Sequence, residues 1–183
     1  MLVENVLNGD AESFTPLVRA YTPPLYNLAF KMTGGGESAA EAVQETFFRA
    51  YRDLGRYDGR ARVLSWLYGI CVNVCHDAGK RSRKAREREE PIGDGPGESL
   101  AAPGPDAEET MSRRQEEGRL RGCLQRLPGT LRAALLLRYQ EELPVGEVAA
   151  QLEIGVSAAK MRIRRGLEML RGLCSEGPRG GTP

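Results

Sequence analysis

"VGEVAAQLEIGVSAAKMRIRRGLEML", residues 145–170, decides how this chain is read. A helical pattern runs from about residue 145 to 152, "EIGV" interrupts it, and a second runs from about 157 to 172. Helix, short turn, helix is the arrangement that sets its second helix into the major groove of duplex DNA. Ala149 is the small residue that lets the second helix cross closely, and Val148, Leu152, Ile154, Val156 and Ile163 are the expected shared core. Ser157 is the expected N-cap, leaving the first turn open to a phosphate backbone. Lys160, Arg162, Arg164 and Arg165 then line the outer side. Such cations give salt-dependent affinity, and an arginine held bidentate on guanine adds about 1–3 kcal/mol of discrimination. Taken alone, the stretch also fits an ordinary helical hairpin with a solvated basic face.

Working outward, the rest of the second half is helical too. Met111 to Leu127 reads as one helix stopped by Pro128 and Gly129, and Thr130 is the expected cap of the next. Upstream, residues 91–105, "PIGDGPGESLAAPGP", hold four prolines and four glycines. That composition cannot bury a core and predicts an extended linker. Charge follows the same division. Six bases and one acid lie between Gly79 and Arg88, whereas Glu89 to Glu109 holds seven acids and no base. Val156 to Arg171 returns to five bases and one acid, within a chain of 26 basic and 25 acidic residues. Clustered cations on a near-neutral total predict local phosphate contacts rather than a cationic coat.

The first half shows three helical segments. In residues 10–32, Phe14, Leu17, Val18, Tyr21, Leu25, Leu28 and Ala29 recur at mostly helical spacing, and Pro23 and Pro24 should break or kink the segment. "TGGGES", residues 33–38, reads as a turn in which Glu37 or Ser38 caps the next helix. "EAVQETFFRAYRDL", residues 41–54, places Val43, Phe47, Ala50, Tyr51 and Leu54 on one face. Phe48 falls outside that face, among Glu41, Gln44, Glu45 and Arg52. An exposed aromatic beside charges is often incidental surface.

"GRYDGRAR", residues 55–62, reads as a basic loop, and a third helix runs from about residue 64 to 84. Leu67, Ile70, Cys71 and Val74 form its buried stripe, while Trp66, Asn73, Asp77, Arg81 and Lys84 form another. An indole, an amide and charged groups in line suit a strand with unstacked bases. Trp66 fits a core position equally well.

No strand-like alternation occurs anywhere, so the fold class is all-α: two small helical domains joined by a flexible linker. The domains are 1–88 and 111–173, with the linker at 89–110 and a disordered tail at 174–183. No apolar run approaches the roughly 18 residues of a membrane span, and "MLVENVLNGD" lacks the basic start of a signal peptide. A cytoplasmic protein without membrane insertion is expected. Cys71 and Cys75 are read as small buried residues, with a redox or metal role beside His76 as the other reading; Cys123 and Cys174 stand alone. Neither a cofactor nor a metal is called for. With one histidine, no phosphate loop and no Ser/His/Asp set, catalysis is not expected.

These stretches, in this order, resemble the extracytoplasmic-function (ECF) sigma factors, two-domain initiation subunits of bacterial RNA polymerase in the sigma-70 family. "GDAESFTPLVRAYTPPLYNLAFKMTG" looks like the start of their domain 2. Gln44, Glu45, Phe47, Trp66, Leu67, Ile70, Asn73 and Asp77 fall in register with that family's "Q-E-x-F…W-L-x-x-I-x-x-N-x-x-x-D" run. "LPGTLRAALLLRYQEELPVGEVAAQLEIGVSAAKMRIRRGLEMLR" looks like domain 4.

The resemblance implies that Glu41, Gln44, Glu45, Phe48, Arg49 and Arg52 dock on the clamp coiled coil of the polymerase largest subunit, while domain 4 meets the flap of the second-largest subunit. It implies that the melted −10 element is held by Arg56, Tyr57, Asp58, Arg60, Arg62, Trp66, Asn73, Asp77, Lys80, Arg81 and Lys84, with a base flipped out. Ser157, Ala158, Lys160, Met161, Arg162, Arg164 and Arg165 would read the −35 element as duplex. An anti-sigma factor is an expected partner. The linker would run through the RNA exit path. Three departures stand out: Glu153 occupies the turn position where the family has glycine, Glu41 replaces an aspartate, and of the family's "G-T-V-K-S-R" only Lys160 and Arg162 carry over. Met161 there suits a thymine methyl. A stand-alone helix-turn-helix regulator is the alternative, although no dimer stripe is evident.

Overall fold

The computed structural model describes residues 12, 14–57, 59, 61–86 and 107–175. Residues 87–106 and 176–183, which carry most of the expected linker and tail, lie outside the described residues. Seven helices form the described chain: α1 (Phe14–Thr33), α2 (Gly36–Asp53), α3 (Val63–Arg86), α4 (Ala107–Arg126), α5 (Gly129–Leu135), α6 (Val145–Gln151) and α7 (Val156–Ser175). A 3₁₀ turn, Leu54–Arg56, extends α2, and a π-turn, Leu136–Gln140, extends α5. The all-α expectation holds.

α1 runs as one helix through Pro23 and Pro24, without the break that was one of the two expectations. Two forces decide this. Leu17 before the prolines and Leu25, Leu28, Ala29 and Met32 after them are all buried, and α1 packs on α2 and α3, so packing keeps the helix continuous across the prolines. The carbonyls that the prolines leave without donors belong to Arg19 and Ala20, which lie on the exposed side. Thr22 also bonds back along the helix, its Oγ1 donating to the Val18 carbonyl at 2.7 Å.

Several helix boundaries differ from expectation. The turn after α1 is only Gly34 and Gly35, with Gly34 at φ 85°, a conformation that suits glycine. Gly35 is the N-cap of α2, without a side-chain bond, so neither Glu37 nor Ser38 caps it. Pro128 stands at the cap of α5, and Thr130 lies inside that helix. α4 starts at Ala107, within the span expected to be linker, and α7 continues through Cys174 to Ser175, within the span expected to be tail.

The two helical halves share one apolar core. α6 packs on α3, and α4 and α5 pack on α1. Side chains from the second half reach backbone of the first: Gln125 Nε2 donates to the Lys31 carbonyl at 2.8 Å, and the Arg132 guanidinium donates to the Met32 carbonyl. Ser65 Oγ donates to Glu147 Oε2 at 3.0 Å, and the Arg121 guanidinium lies 4.8 Å from the Phe30 ring centre. The second helical half thus rests on the first in this structure.

Candidate nucleic-acid interface

On α2 the apolar face is filled by Val43, Phe47, Ala50 and, just beyond it, Leu54, all buried. Tyr51, expected on that face, is half exposed, and Phe14 meets it in a T-shaped contact at 5.2 Å between ring centres. Phe48 is 64% exposed. Glu41, Gln44 and Arg52 are exposed around it. Arg52 is turned to its neighbour, its Nη2 2.9 Å from Asp53 Oδ2. Arg49 is not free on this face. Its Nε donates to Glu45 Oε1 at 2.7 Å and its Nη1 to Asp77 Oδ2 at 3.2 Å, so one guanidinium ties α2 to α3. The bond to Glu45, with Asp77 adding to it, holds the Arg49 pKa above its ordinary value.

The second stripe begins where the basic loop meets α3. Tyr57 donates its hydroxyl to the Ala61 carbonyl at 2.5 Å and leans on Trp66, ring centres 5.2 Å apart. That contact leaves Trp66 only partly buried, between its two expected roles. Arg62, Asn73, Lys80 and Arg81 are exposed, and Asp77 is half-buried in its pair with Arg49. Asp58 and Arg60 lie outside the described residues, as do the side chains of Arg56 and Lys84.

The helix-turn-helix is formed by α6 and α7. Val148, Ala149, Ala159 and Ile163 are buried between them, with Leu152 and Ile154 partly so, while Val156 is 48% exposed rather than core. Gly166 sits where a Cβ would fall 3.0 Å from the Leu135 side chain, which explains how α7 crosses α5 so closely. The Ala159 N–H donates to the Gly155 carbonyl at 3.0 Å, so α7 starts one residue early and Ser157 lies in its first turn rather than at the cap. Ser157, Ala158, Lys160, Met161, Arg164 and Arg165 are exposed together, and Arg162 partly. Arg164 lies over Met161, its Nη2 3.3 Å from Sδ. Glu153 in the turn has φ 52°. This left-handed backbone is the physical reason a glycine is at home at that position.

Three features had little or no sequence signal. Arg132 is buried, and beyond Met32 its guanidinium donates to the carbonyls of Gln125 and Leu127 at 2.7 and 3.0 Å. Burial pulls its pKa below the ordinary value. Cys123 and Cys174, expected to stand apart, are paired, with their Cα atoms 5.8 Å apart. A groove of about 580 Å³ opens between α4, α5 and α7, lined by Leu120, Leu124, Tyr139, Leu167 and Leu170 among others.

Cys71 and Cys75 are buried, as read from sequence, and the Cys75 thiol is pushed up in pKa by its bond to Cys71 and by burial. Among the described residues no cluster of three metal-ligating side chains occurs, and no helix is long and apolar enough to cross a membrane.

The family model of sigma-70 region 2 matches residues 17–86 and that of sigma-70 region 4 matches residues 117–170. The chain is 27% identical over 173 residues to the ECF RNA polymerase sigma factor SigW of Bacillus subtilis, covering 92% of each. It is 31% identical over 181 residues to the RNA polymerase sigma-H factor of Pseudomonas aeruginosa, covering 92% of this chain and 90% of that one. Among solved structures, the sigma factor RpoE of Bartonella quintana, in complex with the anti-sigma factor NepR, shares the fold. Its TM-score is 0.69 at 18% identity, over 92% of this chain and 100% of that one. The sigma factor CnrH, in complex with the cytosolic domain of CnrY, does so at a TM-score of 0.67 and 21% identity, over 97% of each. The chain belongs to the ECF group of the sigma-70 family of RNA polymerase sigma factors. That is not a family of enzymes.

Proposed function

We propose that this sigma factor divides promoter recognition between its two modules and docks on polymerase through α2. The exposed side of α2 (Glu41, Gln44, Phe48 and Arg52, with Glu45 and Arg49 behind them) meets the clamp coiled coil of the largest subunit. Region 4 meets the flap of the second-largest subunit. The loop at 55–62 and the stripe Trp66, Asn73, Asp77, Lys80, Arg81 and Lys84 take the melted −10 strand. The outer face of α7, from Ser157 to Arg165, reads −35 duplex.

The single observation that carries this reading is Phe48, 64% exposed on a helix whose apolar face is already complete. Burying a ring of that size stabilises a complex by about 1.5–3 kcal/mol, and the polar rim excludes water around it. The exposed cations of α7 support the second part: the N-terminus of α7 and its basic side chains together suit a phosphate backbone. The protein acts by binding, not catalysis, in the cytoplasm where polymerase works. RpoE was solved with the anti-sigma factor NepR and CnrH with the cytosolic domain of CnrY, which supports an anti-sigma partner here.

Phe48→Ala tests the docking role. Affinity for core polymerase should fall about tenfold or more, since 1.4 kcal/mol is a factor of ten, with the thermal midpoint unchanged because the ring is not in the core. Unchanged affinity would remove Phe48 from the interface.

A further inference from the structure

We propose that Cys123 and Cys174 are a reversible thiol–disulfide switch that fastens α4 to the end of α7. This goes beyond promoter recognition and does not depend on it. The two residues are 51 apart in sequence, on different helices, yet their Cα atoms stand 5.8 Å apart, within the span a disulfide needs without backbone movement. α4 and α7 pack against each other here, and Arg119, one turn before Cys123, donates from Nη2 to the Cys174 carbonyl at 2.5 Å. The junction is therefore held in place independently of any sulfur bond.

The two thiols differ in access. Cys123 is 6% exposed, whereas Cys174 is partly exposed on the last turn of α7. That asymmetry assigns the roles. Hydrogen peroxide reaches Cys174 first. The Cys174 thiolate attacks one peroxide oxygen and breaks the O–O bond; hydroxide leaves, and Cys174 becomes a sulfenic acid. The Cys123 thiolate then attacks the Cys174 sulfur and expels the hydroxyl as hydroxide. In sum two thiols lose two electrons and two protons, and one peroxide becomes two waters. A thiol reductant reverses the step by exchange. In a reducing compartment such a pair acts as a sensor rather than a permanent brace.

The consequence is local. Leu120 and Leu124 of α4 and Leu167 and Leu170 of α7 line the groove, and the pair links the same two helices. Oxidation fixes the spacing of those walls. Cys71 and Cys75, sealed in the core, serve as an internal control that should not react.

The test uses the full chain, reduced and then treated with hydrogen peroxide. We expect an intramolecular loss of two hydrogens by intact mass, with differential alkylation and peptide mapping placing the bond between Cys123 and Cys174. The thermal midpoint should rise by roughly 5–15 °C, as expected for closing a loop of this length, and return on reduction. Hydrogen exchange in the last turn of α7 should slow. Cys174→Ser, at a partly exposed helix end, should fold and show none of these changes. Retained alkylation of Cys123 and Cys174 after oxidation would overturn the proposal. So would bonds formed only between chains, or a midpoint rise that persists in Cys174→Ser.

Discussion

Gln151 on α6 occupies the space beside Gly69 on α3: a Cβ built on Gly69 would fall 3.3 Å from the Gln151 carbonyl oxygen and closer still to its side-chain amide. The side chain can move, but the carbonyl belongs to the end of a helix and yields only with it. Gly69 is therefore where the second module sits down on the first. Gly69→Ala gives two opposed effects. Within α3 it gains about 1 kcal/mol of helix propensity, while at the junction the Gln151 side chain must turn away and the carbonyl must shift slightly. The expected outcome is a net gain in urea-unfolding stability below that full term of about 1 kcal/mol, with helicity preserved. A gain of the full helix-propensity term would show that α6 does not bear on Gly69 in solution.

Arg132 joins the same two modules from the other side. Arg132→Ala removes donors from the buried carbonyls of Met32, Gln125 and Leu127. Unpaired buried acceptors cost about 1–3 kcal/mol each at most, so a loss of about 2–4 kcal/mol in urea unfolding is expected. Arg132→Lys should restore less than half, because a single ammonium cannot reach carbonyls spread across a planar fork.

The turn of the helix-turn-helix carries a removable strain. Glu153 has φ 52° and an exposed side chain. A non-glycine residue held there costs on the order of 1 kcal/mol. Glu153→Gly should leave chemical-denaturation stability equal or raise it by up to about 1 kcal/mol, despite the added freedom of the unfolded chain. A clear loss of stability would mean that the Glu153 side chain holds the turn.

What the sequence revealed was what is local. The stripes Val43, Phe47, Ala50 and Leu67, Cys71, Val74 could be read because helical periodicity needs only neighbouring residues, and all six are buried. The exposed Phe48 was legible by the same rule. Where the reading failed, a distant partner decided. Pro23 and Pro24 predict a break by local rules, yet α1 is kept continuous by a core built with α2 and α3. Thr130 and Ser157 are good caps one or two residues away from where the helices begin. Val156 and Tyr51 have apolar faces that no neighbour covers fully. Arg132 gave no signal within an apolar run, since its partner Met32 is 100 residues away. Pairing of Cys123 with Cys174 is likewise beyond what spacing can show.

Arg49, shared by Glu45 and Asp77, shows why the candidate site was only half legible. The resemblance implies separate roles for Glu45 and Arg49 on one side and Asp77 on the other. One guanidinium joins all three.

The central claim is that this chain gives polymerase a promoter specificity it lacks alone. Run-off transcription with purified chain, core polymerase and a cognate promoter tests it most directly. The account predicts specific RNA only when chain and core are both present, reduced by Phe48→Ala. Promoter-specific binding at nanomolar strength by the chain alone, with no transcript on adding core, would contradict it.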